Sequence, residues 1–516
     1  MPASAQSPEV IHLHPEDNVC VAARRIEPDT RLLIAGKDIV VREAIKPGHK
    51  FAIAPIANDT LVLKYGQPIG FATKNIGPGE WVHSHNLQQR AVQRQYEKAT
   101  AIPPPPAPIT GRTFEGFRRS DGKAGTRNYV AVISSVNCSA TVAKYVAQRF
   151  NREALRDYPN IDGVVAFSHG GGCGMQFGGL MHEMLNRTMA GIARHPNIGG
   201  YLLIGLGCEQ GAMGYLVESQ RLYHIEGTHQ AKLPPILSMQ DMGGTAKTVE
   251  AGIRMLAELL PRANDVRREP IPVSEIVLGT NCGGSDGNSG VTCNPALGVA
   301  SDMLVAAGGT SVLAETTEVY GAEHLLTQRS VKPEVADKLL ERIQWWLWYA
   351  GNFGVELDSN PSVGNKEGGL TTIAEKSLGA VAKAGSTALV DVYQYAEQIR
   401  SRGFVFMDTP GFDPPSVTGL VAGGCNMVVF TTGRGSCFGC KPVPSIKVAS
   451  NTPMFERMRD DMDLNAGEIL NGVPVATVGR EIFEEIIAVA SGKHTKSEQL
   501  GYGDEEFVPW LVGPQL

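Results

Sequence analysis

The sequence predicts an α/β protein in which a small β-rich N-terminal domain is followed by two α/β domains with mainly parallel sheets. Two observations carry that fold class. Before residue 98, short apolar runs are broken by Gly and Pro. Beyond residue 110, strand-like runs alternate with segments of helix length, the pattern of βα units. Between them lies Ala101-Ile102-Pro103-Pro104-Pro105-Pro106-Ala107-Pro108, a stiff extended spacer. Length agrees, since 516 residues make room for three domains at roughly 100–200 residues each. The divisions expected are 1–97, a linker over 98–110, 111–267 and 268–516.

In the first domain the runs are Arg31-Leu32-Leu33-Ile34, Phe51-Ala52-Ile53-Ala54 and Leu61-Val62-Leu63-Lys64-Tyr65-Gly66. Past the spacer, strands are expected at Tyr129 to Val136, Gly163 to Ser168, Tyr201 to Leu206, Ile236 to Met239, Ile276 to Thr280, Ser311 to Glu315, Ala388 to Val392 and Met427 to Thr431. A weaker boundary falls at Asn264 to Pro272. From Lys332 to Ala350, Val335, Leu339, Leu340, Ile343, Trp346 and Leu347 keep helical spacing, which marks a core-facing helix.

Composition narrows the function. With 42% hydrophobic and 19% charged residues, the chain has apolar material for more than one core, which excludes a disordered protein. The net charge of −6 offers no general footprint for nucleic acid or anionic lipid. No apolar window is long enough to cross a membrane, and Met1 to Asp17 lacks the order of a secretory signal. The expectation is a cytoplasmic protein with reduced thiols, assembled as a homodimer, whose partner is a small molecule. No GxxxxGK[ST], strand-linked GxGxxG or GxSxG is present, which leaves nucleotide binding and serine hydrolysis unsupported.

The residues at the end of each predicted strand are more informative. Cys138 comes just after Val136, and His169-Gly170-Gly171-Gly172-Cys173 after Ser168. Cys208-Glu209 succeeds Leu206-Gly207, and Asn281-Cys282-Gly283-Gly284-Ser285-Asp286 succeeds Thr280. Ligands of open α/β sheets bind at such carboxyl ends. Cys138, Cys173, Cys208 and Cys282 are therefore candidate metal ligands, each with buried packing as the alternative. His83 and His85, two apart on a strand, are the alternative metal pair. His169, Glu209 and Asp286 are candidate acid–base groups, and Glu315 and Glu318 are further oxygen donors. Each carboxylate can be a base, a ligand or a helix cap. Arg127, Arg434 and Lys366 lie in glycine-bounded segments where a cation can grip a carboxylate, with a solvated turn as the alternative. Cys437-Phe438-Gly439-Cys440 reads as a ligand pair, a redox pair or a glycine turn with two buried thiols.

Several of these segments, in order and nearly along the whole chain, resemble the altronate/galactarate dehydratase family of sugar-acid hydro-lyases. They are Tyr65-Gly66-Gln67-Pro68-Ile69-Gly70, Gly79-Glu80-Trp81-Val82-His83-Ser84-His85-Asn86, Gly125-Thr126-Arg127-Asn128, Gly205-Leu206-Gly207-Cys208-Glu209, Cys282-Gly283-Gly284-Ser285-Asp286, Gly364-Asn365-Lys366 and Thr432-Gly433-Arg434-Gly435. The first two look like that family's SAF domain, and the His83-to-Asn86 segment is closer to altronate than to galactarate dehydratases. The segment after Gly435, Ser436-Cys437-Phe438-Gly439-Cys440, departs from the family's Thr-Pro-Tyr-Gly type. The resemblance implies loss of water from an aldonate or aldarate to give a 2-keto-3-deoxy acid through a metal-stabilised enediolate. It implies Fe2+, with Mn2+ as a substitute and an iron–sulfur cluster as a further form, and it adds Asn365 to Arg127, Arg434 and Lys366 as substrate-binding residues.

Overall fold

In the computed structural model, residues 9–90, 95–211, 213–222, 224–226, 230–232 and 234–513 are described. The N-terminal domain is built of short antiparallel strands. Val10–Ile11, Val19–Ala22, Lys50–Ala52 and Trp81–Val82 form one sheet. Hairpins Arg31–Ile34/Lys37–Val40 and Leu61–Lys64/Gln67–Ala72 flank it. The alternation of Arg31–Ile34, exposed then buried residue by residue, is what a half-buried strand requires. The proline segment is no free spacer. Ala99 and Ala101 N–H donate to Thr327 and Gln328 carbonyls, and Ile109 N–H to Ala306, so the linker is strapped along the C-terminal domain.

The second domain carries β1 (Tyr129–Ser134), α1 (Asn137–Gln148), β2 (Gly163–Phe167), α2 (Leu180–Ala193), β3 (Ile198–Gly205), β4 (Ile236–Ser238) and α3 (Thr245–Asn264). Its sheet runs β2-β1-β3-β4, all parallel. The C-terminal domain carries β5 (Val277–Cys282), α4 (Cys293–Ala306), β6 (Thr310–Leu313), α5 (Pro333–Asn352), α6 (Ile373–Ala380), β7 (Leu389–Tyr393), β8 (Gly403–Met407), α7 (Asp413–Ala422), β9 (Met427–Thr432), β10 (Ser445–Ala449), β11 (Leu464–Asn465) and α8 (Val475–Ala490). Here the order is β7-β8-β6-β5-β9-β10-β11, again parallel. Parallel strands covered on both faces explain why β5, β6, β8 and β9 are almost wholly buried.

Each sheet grows outward on both sides of its first strand, so strand order reverses between β1 and β3 and between β5 and β9. Crevices for ligands open at such switch points, beyond the carboxyl ends of the strands. The domains share cores. Val19, Ala52 and Val62 pack with Leu313, Leu326 and Phe404, while Tyr129, Ile133 and Phe167 pack with Val417, Val428 and Phe430. Among the described residues, no helix is long and apolar enough to cross a membrane.

Candidate active site

The carboxyl ends of β5 and β6, beside the switch point of the C-terminal sheet, hold a buried charged cluster. Cys282 ends β5, Glu315 and Glu318 lie just past β6, and Lys376 and Lys383 come from α6 and the 3-10 turn Val381–Ala384. Lys383 Nζ stands 2.6 Å from Glu315 Oε2 and 2.8 Å from Cys282 Sγ. Lys376 Nζ donates to Glu318 Oε1 at 2.6 Å and to Asn360 Oδ1 at 2.9 Å. Cys282 N–H donates to Glu315 Oε2, and its Sγ lies 3.5 Å from Glu318 Oε2. Asp413, the first residue of α7, is linked to the cluster through Asn281 (3.3 Å), and it alone of these acids is partly open to solvent.

Burial and like charge set the protonation here. Burial first, then the charges of Glu315 and Glu318, push the Asp413 carboxyl up to about 8. Burial pushes Glu315 upward too, against the pull of Lys383. Glu318 goes down, because Lys376 and Lys383 outweigh its burial. Burial and Glu315 raise the Cys282 thiol well above its usual range. Glu315 has φ 66° and ψ 62°, a left-handed conformation that costs a non-glycine residue roughly 1–3 kcal/mol. Its N–H is fixed by Thr409 Oγ1 at 2.8 Å. That backbone aims the carboxylate into the cluster, where Oε1 is buried without a hydrogen-bond partner. Cys282, Glu315 and Glu318 offer ligand atoms within 4.8 Å of one another. One sulfur and two carboxylates, with an orphaned oxygen among them, suit a divalent transition metal of iron or manganese type.

Next to this cluster, Gly283 and Gly284 run toward the β9 end. Gly284 has φ +62°, and a Cβ there would lie 3.5 Å from Arg434 Cβ. Arg434 has a 47% exposed side chain, and among the described residues its guanidinium makes one contact, at 3.4 Å with Glu367, so it is available at the rim. Lys366 sits beside Glu367 on a short helix, Val363–Glu367, that the N-terminal domain holds in place. His83 Nε2 donates to Lys366 O (2.9 Å), and His49 Nε2 to Glu367 O (3.1 Å).

Several expected site residues do other work. Arg127 is buried. Its guanidinium makes two bonds to Glu498 and others to the carbonyls of Thr126, Val489 and Lys493, so it clamps the C-terminal segment and cannot reach a substrate. His169 has both nitrogens committed, Nε2 donating to Ser134 O and Nδ1 accepting from Gly171 N–H, and burial pushes it down to about 4. It is a neutral structural histidine. Asp286 accepts from Ser289 and Asn288 in its own loop and from Ser450 and Asn451, knotting two loop segments rather than serving as a free acid. Asn365 completes a capping box with Ser362 and donates to Ser285 O. Glu209 is held by Ser135 Oγ (2.7 Å) and Gly207 N–H (2.6 Å), which locks its loop. His83 Nδ1 accepts from Ser84, and His83 and His85 both pack on Trp81, so they form no metal pair. Cys282 is not grouped with the other strand-end thiols, because its neighbours are Glu315, Glu318 and Lys383. Cys440 is buried beside Phe438 and Val443, and Cys437 is half-buried, as in a turn with packed thiols. Lys376, Lys383 and Asp413 were missed. The two lysines sit in a helical stretch with no distinguishing spacing, and Asp413-Pro414-Pro415 reads as an ordinary helix start.

Three family descriptions cover the chain. "Altronate/galactarate dehydratase SAF domain" matches residues 8–90, "D-galactarate dehydratase/Altronate hydrolase, second domain" matches 116–264, and "D-galactarate/Altronate dehydratase, C-terminal" matches 273–515. The chain is 38% identical to an altronate dehydratase of Bacillus subtilis (strain 168) over 491 residues, 95% of this chain and 96% of the relative. It is 39% identical over 505 residues to a galactarate dehydratase (L-threo-forming) of Escherichia coli (strain K12), covering 95% and 94%. An altronate dehydratase of the same organism is 35% identical over 492 residues, covering 95% and 97%. Fold, site and relatives together define an enzyme of the hydro-lyase class, a sugar-acid dehydratase. Within that class, the chain belongs to the altronate/galactarate dehydratase family.

Proposed function

We propose that this enzyme dehydrates an aldonate of the altronate type to a 2-keto-3-deoxy acid beside the switch point of the C-terminal sheet. The observation that carries the reading is the buried, unpartnered Glu315 Oε1 in a cluster of two ammonium groups, two further acids and a thiol. Arg434 receives the substrate carboxylate at the rim, in the two parallel bonds its planar fork allows. Of the two arginines expected to bind substrate, Arg127 is withdrawn into the frame and Arg434 is left at the rim, and one such fork for one terminal carboxylate favours an aldonate over a two-ended aldarate. Asp413 holds a proton near neutral pH and hands it to the departing hydroxyl. Glu315 Oε1, the oxygen without a partner, takes the proton from the carbon beside the substrate carboxylate, and Lys383 and Lys376 keep positive charge there as negative charge develops. Cys282, Glu315 and Glu318 would hold Fe2+, or Mn2+ in its place, and such a metal supplies Lewis-acid polarisation of the substrate's oxygens.

The test is an anaerobic assay for keto acid, using protein loaded with Fe2+ and a panel that includes altronate and galactarate. Preferential turnover of altronate supports the reading. Preference for galactarate corrects the substrate, and no product from any aldonate or aldarate removes the function.

A further inference from the structure

A cavity of about 240 Å³ lies in the seam between the SAF domain and the C-terminal domain. Among the described residues that line it are neither the charged cluster nor Arg434. Small residues open this space. Gly70, Gly321 and Ala374 belong to its walls, and the chain is too close there for larger ones. A Cβ on Gly70 would lie 2.6 Å from Gln88 O, and one on Gly321, at φ +91°, 3.3 Å from Ala374 Cα. Ile343, Gln344 and Leu347 of α5 form another wall, and Phe71, Tyr96 and Tyr320 add three aromatic rings. The volume equals that of roughly eight liquid waters at about 30 Å³ each, room for a small organic molecule. The cavity also touches both segments that carry the cluster. Tyr320 and Gly321 follow closely on Glu318, and Ala374 precedes Lys376 by two residues.

The polar groups on these walls are mostly acceptors. Gln89 Oε1 is buried without a hydrogen-bond partner, while its amide nitrogen donates to Arg90 O at 3.3 Å. Glu323 is buried, with the Tyr96 hydroxyl donating to Oε1 and the Gly321 N–H to Oε2, which leaves each carboxylate oxygen a second lone pair. The exposed Gln344 amide, both donor and acceptor, makes no hydrogen bond among the described residues. Arg90 is the one cation among the described lining residues, and it is engaged. Its guanidinium pairs with Asp59 and lies over the Phe71 ring, 5.1 Å from the centroid. Such walls select their ligand. Unused lone pairs call for hydroxyl donors, and aromatic and aliphatic side chains suit the C–H faces of a carbon chain. A sugar acid would bring its carboxylate up to Glu323 with no unpaired cation to meet it.

We propose that this cavity binds an uncharged polyhydroxy compound, a sugar or sugar alcohol of hexose size, as an effector. Such a ligand lacks the carboxylate that the dehydration needs, so it is no second substrate. The inference goes beyond the proposed chemistry and does not depend on it. The experiment is isothermal titration calorimetry of the full chain with glucose, galactose, mannitol and sorbitol, and with altronate as the acidic comparison. At least one neutral compound is expected to bind, one per chain, with millimolar or tighter affinity. Gln89→Leu, which removes the buried acceptor, and Leu347→Trp, which fills the space, should each weaken that binding at least about tenfold. Gln344→Ala changes an exposed residue, so a folded variant is assured for the comparison, and it should weaken binding as well. Circular dichroism shows which variants are folded. Absence of binding by all four neutral compounds, or unchanged affinity in folded Gln89→Leu and Gln344→Ala proteins, would overturn the proposal. Binding of altronate alone, lost in Gln89→Leu, would overturn the uncharged class. Failure to form keto acid would count against the proposed catalysis and leave these titrations unaffected.

Discussion

Lys50 Nζ and Glu375 Oε2 meet at 2.8 Å with both side chains fully buried, one on the SAF domain and the other on α6 of the C-terminal domain. Lys64 closes on the other oxygen at 2.9 Å, and Thr371 donates to Glu375 as well. Burial alone would neutralise Glu375, but the two ammonium groups outweigh it and hold the carboxyl far below its usual range. This triad joins the SAF domain to the helix that supplies Lys376, so the N-terminal domain orients the site without entering its chemistry. Glu375→Gln would leave two buried cations poorly compensated, and it should cost about 3–5 kcal/mol in urea unfolding. Unchanged stability would show that the shared apolar core alone holds the domain.

Arg434 and Arg127 separate binding from architecture. Arg434→Lys should raise KM by the equivalent of about 1.5–3 kcal/mol with the fold intact, since a point charge cannot reproduce the fork. Arg127→Lys should lower thermal stability, because Glu498 and three carbonyls lose their partner. Reversed phenotypes would exchange the two roles.

Asp413→Asn should lower kcat by roughly 10²–10⁴-fold with little effect on KM, the scale of a lost general acid. Steady-state keto-acid formation by iron-loaded protein measures it. Retention of full kcat would return Asp413 to the role of a helix cap.

His195 provides a test of pH dependence. Its Nε2 donates to Cys425 O and its Nδ1 accepts from Asn197 N–H, and burial pushes it down to about 3. Its folded pKa lies below the unfolded value, so the unfolded chain takes up the proton first. The contribution of the neutral ring to stability is therefore full above about pH 6.5 and falls as pH drops toward 3, by about 1.4 kcal/mol per pH unit. Urea unfolding at pH 7 and 5 should show that decline, and His195→Gln should make it shallower. An identical slope in the variant would place the acid sensitivity elsewhere.

Much of this was legible in the sequence, for physical reasons. Apolar runs ending in Gly and Cys marked β1, β2, β3 and β5, because buried parallel strands are continuous hydrophobic stretches that end at loops. The run Phe404-Val405-Phe406-Met407 of β8 passed unnoticed, since a short, wholly apolar run does not distinguish strand from buried helix. Long-range pairing was invisible. Arg127 looked like a turn cation because Glu498 is 371 residues away, and the Lys50–Glu375 pair spans 325. Glu315 and Glu318 were found by their place after a strand, but Lys376 and Lys383 become site residues only when α6 folds over that strand end.

The central claim is that proton chemistry belongs to the cluster around Glu315. The direct measurement is altronate turnover by Glu315→Gln, loaded anaerobically with Fe2+ and shown by circular dichroism to be folded. The account predicts a fall in kcat of at least about 10²-fold, the scale of a lost acid–base group. A folded Glu315→Gln enzyme that dehydrates altronate at the wild-type rate would contradict it.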